Sequence, residues 1–196
     1  MPQSLVLAVT SRAQTLRRLT RDTHARLDQA IMAQGIFQDR SRFARFLRVQ
    51  HHFHADIAPL YAREDLNAQL PDLAQRARLA RIIADLHALG SEVPSPATPP
   101  ASLRFTLPTA LGWLYVAEGS SLGGAVILKL ASSLGLSAQF GASHLAPATA
   151  GVASHWRDFT TALDAIELSA EEEADVIAGA RAAFTQVHAY VSDAFA

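Results

Sequence analysis

The stretch YVAEGSSLGGAV, Tyr115 to Val126, puts Gly119, Gly123 and Gly124 inside what otherwise reads as one apolar helix from about Pro108 to Leu134. A glycine in a helix interior costs roughly 1 kcal/mol relative to alanine, because the unfolded chain has more freedom to lose. Something must offset that cost. At about 100° per residue, Gly119, Ser120, Gly123 and Gly124 fall within one broad arc of the helix. Two uses fit such an arc: the close approach of a neighbouring helix, or bare backbone laid against a flat ligand where any Cβ would collide.

A flat ligand facing glycine suggests haem, and haem needs an iron ligand. Of the eight histidines, His24 in LTRDTHARLD is the most suggestive, because it sits at the edge of an apolar helix face formed by Leu19, Thr20, Thr23 and Leu27. A neutral imidazole there can ligate iron through one nitrogen and hydrogen-bond through the other. Arg17 lies seven residues earlier on nearly the same face, about 10 Å along the axis. That separation suits a cation meeting a haem propionate, with Thr20 between the two. By spacing alone, an ordinary boundary histidine and a close-packed helix pair fit the same residues.

The elements that must position these residues all read as helices. Residues 11–33 place Leu16, Leu19, Thr20, Thr23, Leu27, Ala30 and Ile31 on one face. A second helix over 41–58 uses Phe43, Phe46, Leu47, Phe53 and Ile57. Pro71 and Asp72 open a third, closed by Gly90 at the position after its cap. The proline-rich SEVPSPATPP connects it to the glycine-containing helix, which stops at Gly135. A helix near 154–166 follows. The last begins at SAEE, where Ser169 and Glu172 make a capping-box pattern, and runs to about Phe195. No segment alternates with period two for long, so the fold class is all-α, a single domain over 1–196 with residues 1–10 as a loose N-terminal segment.

Composition narrows the chemistry. A net charge of −1 with interspersed signs leaves no basic footprint for nucleic acid. Cysteine is absent, which excludes thiolate-ligated haem, iron–sulfur clusters and cysteine nucleophiles, and suits a reducing cytoplasm. The start MPQSLVLAVTSRAQ lacks a basic region before its short apolar run, so a non-exported, cytoplasmic protein is expected. Residues 107–128 are about long enough to span a bilayer, but Glu118 near the middle and the amphipathic helices elsewhere favour a core helix. The sequence HHFH (His51, His52, His54) invites a metal reading; without an accompanying Glu-x-x-His pattern it reads as helix packing and surface.

LRRLTRDTHARLD together with ALGWLYVAEGSSLGGAVILKL resembles the haem oxygenase family, in particular its bacterial biliverdin-producing branch. The resemblance extends over nearly the whole chain. It implies an all-helical bundle holding haem between a proximal helix carrying His24 as axial iron ligand and a kinked distal helix carrying Gly119 and Gly123. It implies that haem is both cofactor and substrate, opened with molecular oxygen and external electrons to biliverdin, carbon monoxide and ferrous iron. The implied electron donor is a ferredoxin- or flavoprotein-type reductase, and a phytochrome is one implied acceptor of biliverdin. A glycine surface with ordered water would deliver protons without a strongly acidic side chain.

One position departs from the commoner family pattern. Many members carry aspartate directly after the first distal glycine, whereas this chain has Ser120, whose hydroxyl can orient water or bond back to its own helix. Gly119, Ser120 and Gly123 are thus the candidate catalytic positions. Gly124, Lys129, Arg157 and Phe184 join His24, Arg17 and Thr20 as candidate haem contacts, the lysine and arginine toward propionates and the phenylalanine at the haem edge. Two rival functions use the same features: a haem-storage module without turnover, and a di-iron or thiaminase-like enzyme on a similar helical fold.

Overall fold

The four longest helices begin where a side chain satisfies a free N–H group of the first turn. The computed structural model describes residues 11–95, 99–148 and 151–196, so the expected loose segment at 1–10 lies outside the described residues. Helix α1 (Arg12–Ala33) is capped by Ser11, which accepts from the Gln14 N–H, and α2 (Arg40–Ile57) by Asp39, which accepts from Arg42. The glycine-containing helix, α5 (Leu107–Ala131), is capped by Thr106 and carries Pro108 in its first turn. Helix α6 covers Val152–Ala165. At the start of α7 (Ala170–Phe195) the capping box forms in full: the Ser169 N–H donates to Glu172 Oε2 at 2.8 Å while Ser169 Oγ accepts from the Glu172 N–H. No strand occurs among the described residues, only isolated bridges around Ser137.

The third helix differs from its expected form. A 3₁₀ turn over Leu73–Arg76 precedes the true α-helix, α4 (Leu79–Ala88), and a short α3 (Glu64–Gln69) stands before both. The break falls at Ala77, whose ψ of 132° is extended. It turns Arg76 inward to a buried carboxylate, a partner that helical periodicity in the local sequence cannot reveal. The expected stop at Gly90 holds: its φ is +64°, and the Ser91 N–H reaches back to the Leu86 carbonyl at 2.9 Å.

The tightest helix pair is α5 on α7. A Cβ built on Gly112 would stand 2.2 Å from the Val176 carbonyl oxygen, and one on Gly179 would stand 2.5 Å from that of Thr109. Only glycine allows this approach. Around the seam lies the main core, including Leu16, Phe53, Leu111, Leu114, Phe159, Ala180 and Phe184; a second cluster joins α2 and α4 through Phe43, Leu47, Ile82 and Leu86. Residues 107–134 are the one helical run among those described that is long and apolar enough to cross a membrane; here its N-terminal half is core, with Glu118 2 % exposed.

Helices α1 and α5 both pack on α7 but make little contact with each other. Helix α7 is the element that both share. Helix α6 packs against both α1 and α5. Its C-terminus is fixed by Arg12, which donates to the carbonyls of Leu163 and Ile166 and pairs with Glu173 at 2.7 Å.

Candidate functional site

Helical periodicity puts His24 at the margin of the face that α1 buries, and there its side chain remains 57 % exposed. Nδ1 lies 3.2 Å from Asp28 Oδ2, one turn later on the same helix. A carboxylate at Nδ1 favours the tautomer with its proton there and leaves Nε2 with a free lone pair, the arrangement common to metal-ligating histidines. The imidazole meets the Phe184 ring edge-on, 5.6 Å between centroids, so Phe184 of α7 lies beneath it. Arg17 is exposed on the same helix; burial pushes the hydroxyl of Tyr115 on α5 up, and the Arg17 charge partly offsets this. Thr20 is buried, with its hydroxyl donated to the Leu16 carbonyl at 2.8 Å.

Helix α5 passes through its glycines without a break in the α-helical ladder, and each glycine has a different neighbour. A Cβ on Gly119 would meet Trp156 of α6, at 3.5 Å from Cη2. At Gly123 nothing lies within 4 Å. Gly124 is buried, its Cβ position 3.4 Å from the Leu145 carbonyl oxygen, so this glycine accommodates the chain at 143–145. Ser120 is exposed and donates its hydroxyl to the Ala117 carbonyl at 2.7 Å, and Ser121 bonds in the same way to Glu118. Beside the open glycine, Leu122, Val126 and Leu130 form an exposed apolar stripe at four-residue spacing, Val126 being 62 % exposed. An uncovered stripe of this kind beside bare backbone suits a flat apolar ligand. Lys129 and Arg157 are both exposed.

Behind the glycines sits a charge cluster that the sequence reading did not assemble. Arg76 Nη1 donates to Glu118 Oε2 and to the His155 carbonyl, each at 3.2 Å, while its guanidinium lies over the Phe159 ring at 5.7 Å. Tyr61 donates to the other Glu118 oxygen at 3.3 Å, and His155 Nε2 is 3.5 Å from Oε2. Burial, reinforced by the Glu118 charge, raises the Tyr61 hydroxyl far above its ordinary range. A carboxylate this deep requires such partners to stay charged.

The histidines of HHFH divide as packing and surface. His51 and His54 are buried in α2, His52 stacks on Tyr190 at 5.2 Å, and no group of three His, Asp or Glu among the described residues is placed to hold a metal ion. Burial, then the charges of Arg78, His144 and His51, lowers His54 to about 3. His144 is also held neutral by burial, although Asp85 accepts from its Nδ1 at 2.8 Å. Burial pushes the Asp85 carboxyl up, but bonds from the His144 ring and from the Ser143 and His144 N–H groups prevail and bring it below its usual value. Asp85 thereby ties α4 to the turn that packs on Gly124.

Trp156 and Tyr115 were missed as site residues. Both stand beside residues the motifs single out, Arg157 and the GSSLGG run, but only the packing of α6 on α5 brings the two rings together, 5.5 Å between centroids.

Residues 10–193 match the family model described as heme oxygenase. The chain is similar to heme oxygenase PigA of Pseudomonas aeruginosa, 42 % identical over 175 residues that cover 89 % of this chain and 88 % of that protein. It is also similar to a heme oxygenase of Xanthomonas campestris pv. campestris, 32 % identical over 76 % of this chain and 88 % of that one. Among solved structures, the NO- and CO-bound heme oxygenase of Neisseria meningitidis superposes with a TM-score of 0.90 at 34 % identity, covering 95 % and 93 % of the two chains. That of Leptospira interrogans shares the fold at a TM-score of 0.78 and 19 % identity.

Proposed function

Since the chain belongs to the haem oxygenase family and is an enzyme that degrades haem with oxygen and external electrons, we propose that its product is biliverdin, released with carbon monoxide and ferrous iron, in the slot between α1 and α5. This reading takes residues 1–196 as one domain. The observation that carries it is the conjunction of an exposed His24 on α1, Nδ1 engaged by Asp28, with an open Gly123 and an uncovered apolar stripe on α5, two helices that both pack on α7. The storage, di-iron and thiaminase-like readings fall with the family assignment.

When bound, haem supplies the iron that reacts with oxygen and the meso carbon that is lost. His24 Nε2 holds that iron from the α1 side, and Asp28 fixes the ring. Gly123, with nothing within 4 Å of its Cβ position, leaves room on the α5 side for a small diatomic molecule, and a side chain there would take that room; Gly119 stands one turn earlier on the same helix. Ser120, with its hydroxyl donated to Ala117, still offers acceptor lone pairs that can hold water near the backbone of these glycines. Protons then arrive through water, without a carboxylic acid in the slot. Arg17 meets one carboxylate of the substrate; Lys129 and Arg157 are the other exposed cations proposed for that role. Phe184 closes the α7 side.

The proposed electron donor is a ferredoxin- or flavoprotein-type reductase in the cytoplasm, and a phytochrome is a proposed acceptor of the product. Incubation of the protein with haem, oxygen and a reductant tests the product assignment. Biliverdin identified by mass together with released carbon monoxide supports it. A ring-opened product that retains the meso carbon contradicts it.

A further inference from the structure

Trp156 occupies a position that neither motif marks. Its six-membered ring lies 3.5 Å from where a Cβ on Gly119 would stand, and its centroid is 5.5 Å from that of Tyr115. The indole is partly exposed, on the helix that packs against both α1 and α5. A Cβ on Gly119 would meet the indole at ordinary contact distance, whereas one on Gly123 would face nothing. The two candidate distal glycines do different work.

The indole is also held firmly. Its neighbour His155 gives its backbone carbonyl to Arg76 and approaches Glu118 with its ring, so Arg76 joins α6 to the α5 residue that precedes Gly119. On the other side Trp156 stacks with Phe159, 5.8 Å between centroids at 28°, and Phe159 in turn lies under the Arg76 guanidinium. Consecutive residues of α6 thus grip consecutive residues of α5, His155 behind at Glu118 and Trp156 in front at Gly119. A wall fixed by a buried ion pair does not yield as an unsupported surface side chain would.

We propose that Trp156 is a specificity-determining residue: the indole, seated over Gly119 and braced through His155 by the Arg76–Glu118 pair, sets how the macrocycle is rotated in its own plane and so which meso edge is opened. This inference rests on the haem slot proposed above. A macrocycle held between α1 and α5 would meet α6, which packs on both, and its nearly square outline permits several in-plane rotations unless an edge contact selects one. A flat, rigid side chain of large area provides such a contact at little entropic cost.

The test compares the unsubstituted protein with Trp156→Ala, using ferric haem and cyanide, a complex that does not turn over. The haem-methyl proton resonances report the in-plane seating directly. Trp156→Ala is expected to show a second seating or a changed pattern, and on turnover the ratio of verdin isomers is expected to shift by about threefold or more. An unchanged resonance pattern together with an unchanged isomer ratio in Trp156→Ala overturns the proposal. Should that variant fail to fold, Trp156→Phe is read in the same two ways, with a smaller shift expected and no shift overturning it. If the unsubstituted protein binds no haem at all, the slot itself is wrong, a failure distinct from that of the indole wall.

Discussion

Gly112 of α5 lies so close to Gly179 of α7 that a Cβ built on Gly112 would stand 3.0 Å from the Gly179 carbonyl carbon and closer still to the Val176 oxygen. Those atoms are backbone and cannot swing aside. Gly112→Ala is therefore expected to destabilise the apoprotein by about 3 kcal/mol or more, as overpacking at a rigid seam does. Gly123→Ala should do the reverse, since its Cβ meets nothing within 4 Å: a gain of up to ~1 kcal/mol in stability, with haem turnover suppressed. Denaturant melts of the two apoproteins check the opposite signs.

The buried ion pair between Arg76 and Glu118 gives a second expectation. Glu118→Gln leaves a guanidinium 4 % exposed with no counter-charge but a carbonyl, and should cost about 3–5 kcal/mol. Replacing both partners, Arg76→Met with Glu118→Leu, removes the charges together and should recover most of that loss. A double-mutant cycle by urea unfolding reads the coupling directly. Simple additivity would mean the two groups do not act as a pair.

Acid lability should trace to the buried histidines. His54 is held at about 3 when folded, against 6.5 unfolded, so below neutrality the unfolded chain takes up a proton that the folded one refuses. Stability contributed by keeping this ring neutral is present above about pH 6.5 and is lost as the pH falls toward the folded value. His54→Gln should reduce the stability lost between about pH 7 and pH 5 by roughly 2 kcal/mol. His51 and His144, lowered in the same direction by burial, keep the remaining slope.

Ser120 bonds back to the Ala117 carbonyl, so its hydroxyl is one optional partner for water and no more. Ser120→Ala should slow turnover by less than about tenfold, equivalent to roughly 1.4 kcal/mol. Single-turnover rates in ordinary and heavy water measure this. A loss of a hundredfold with haem binding intact would make the hydroxyl an essential relay.

What could be read from the sequence follows from the range of the interactions involved. Caps such as Ser169 with Glu172 and Gly90 involve residues within a turn or two, so the ends of α4 and α7 were legible, and helical spacing placed His24 at the edge of a buried face. The 3₁₀ turn at Leu73–Arg76 was not, because Arg76 leaves helical geometry for a carboxylate 42 residues away. The glycines show the same limit. All share one motif, yet Gly119 answers to Trp156, Gly124 to Leu145 and Gly123 to open space, and the pair that sets the helix seam, Gly112 and Gly179, lies outside the motif altogether.

Iron ligation by His24 is tested most directly by His24→Ala. The side chain is exposed and packs only by one edge on Phe184, so the variant should fold with an unchanged apoprotein melting temperature. Titrated with haem, it should lose the spectrum of histidine-ligated iron and regain it when free imidazole is added to fill the vacated space. Ferric and ferrous spectra identical to those of the unsubstituted protein, with no response to imidazole, would contradict the assignment.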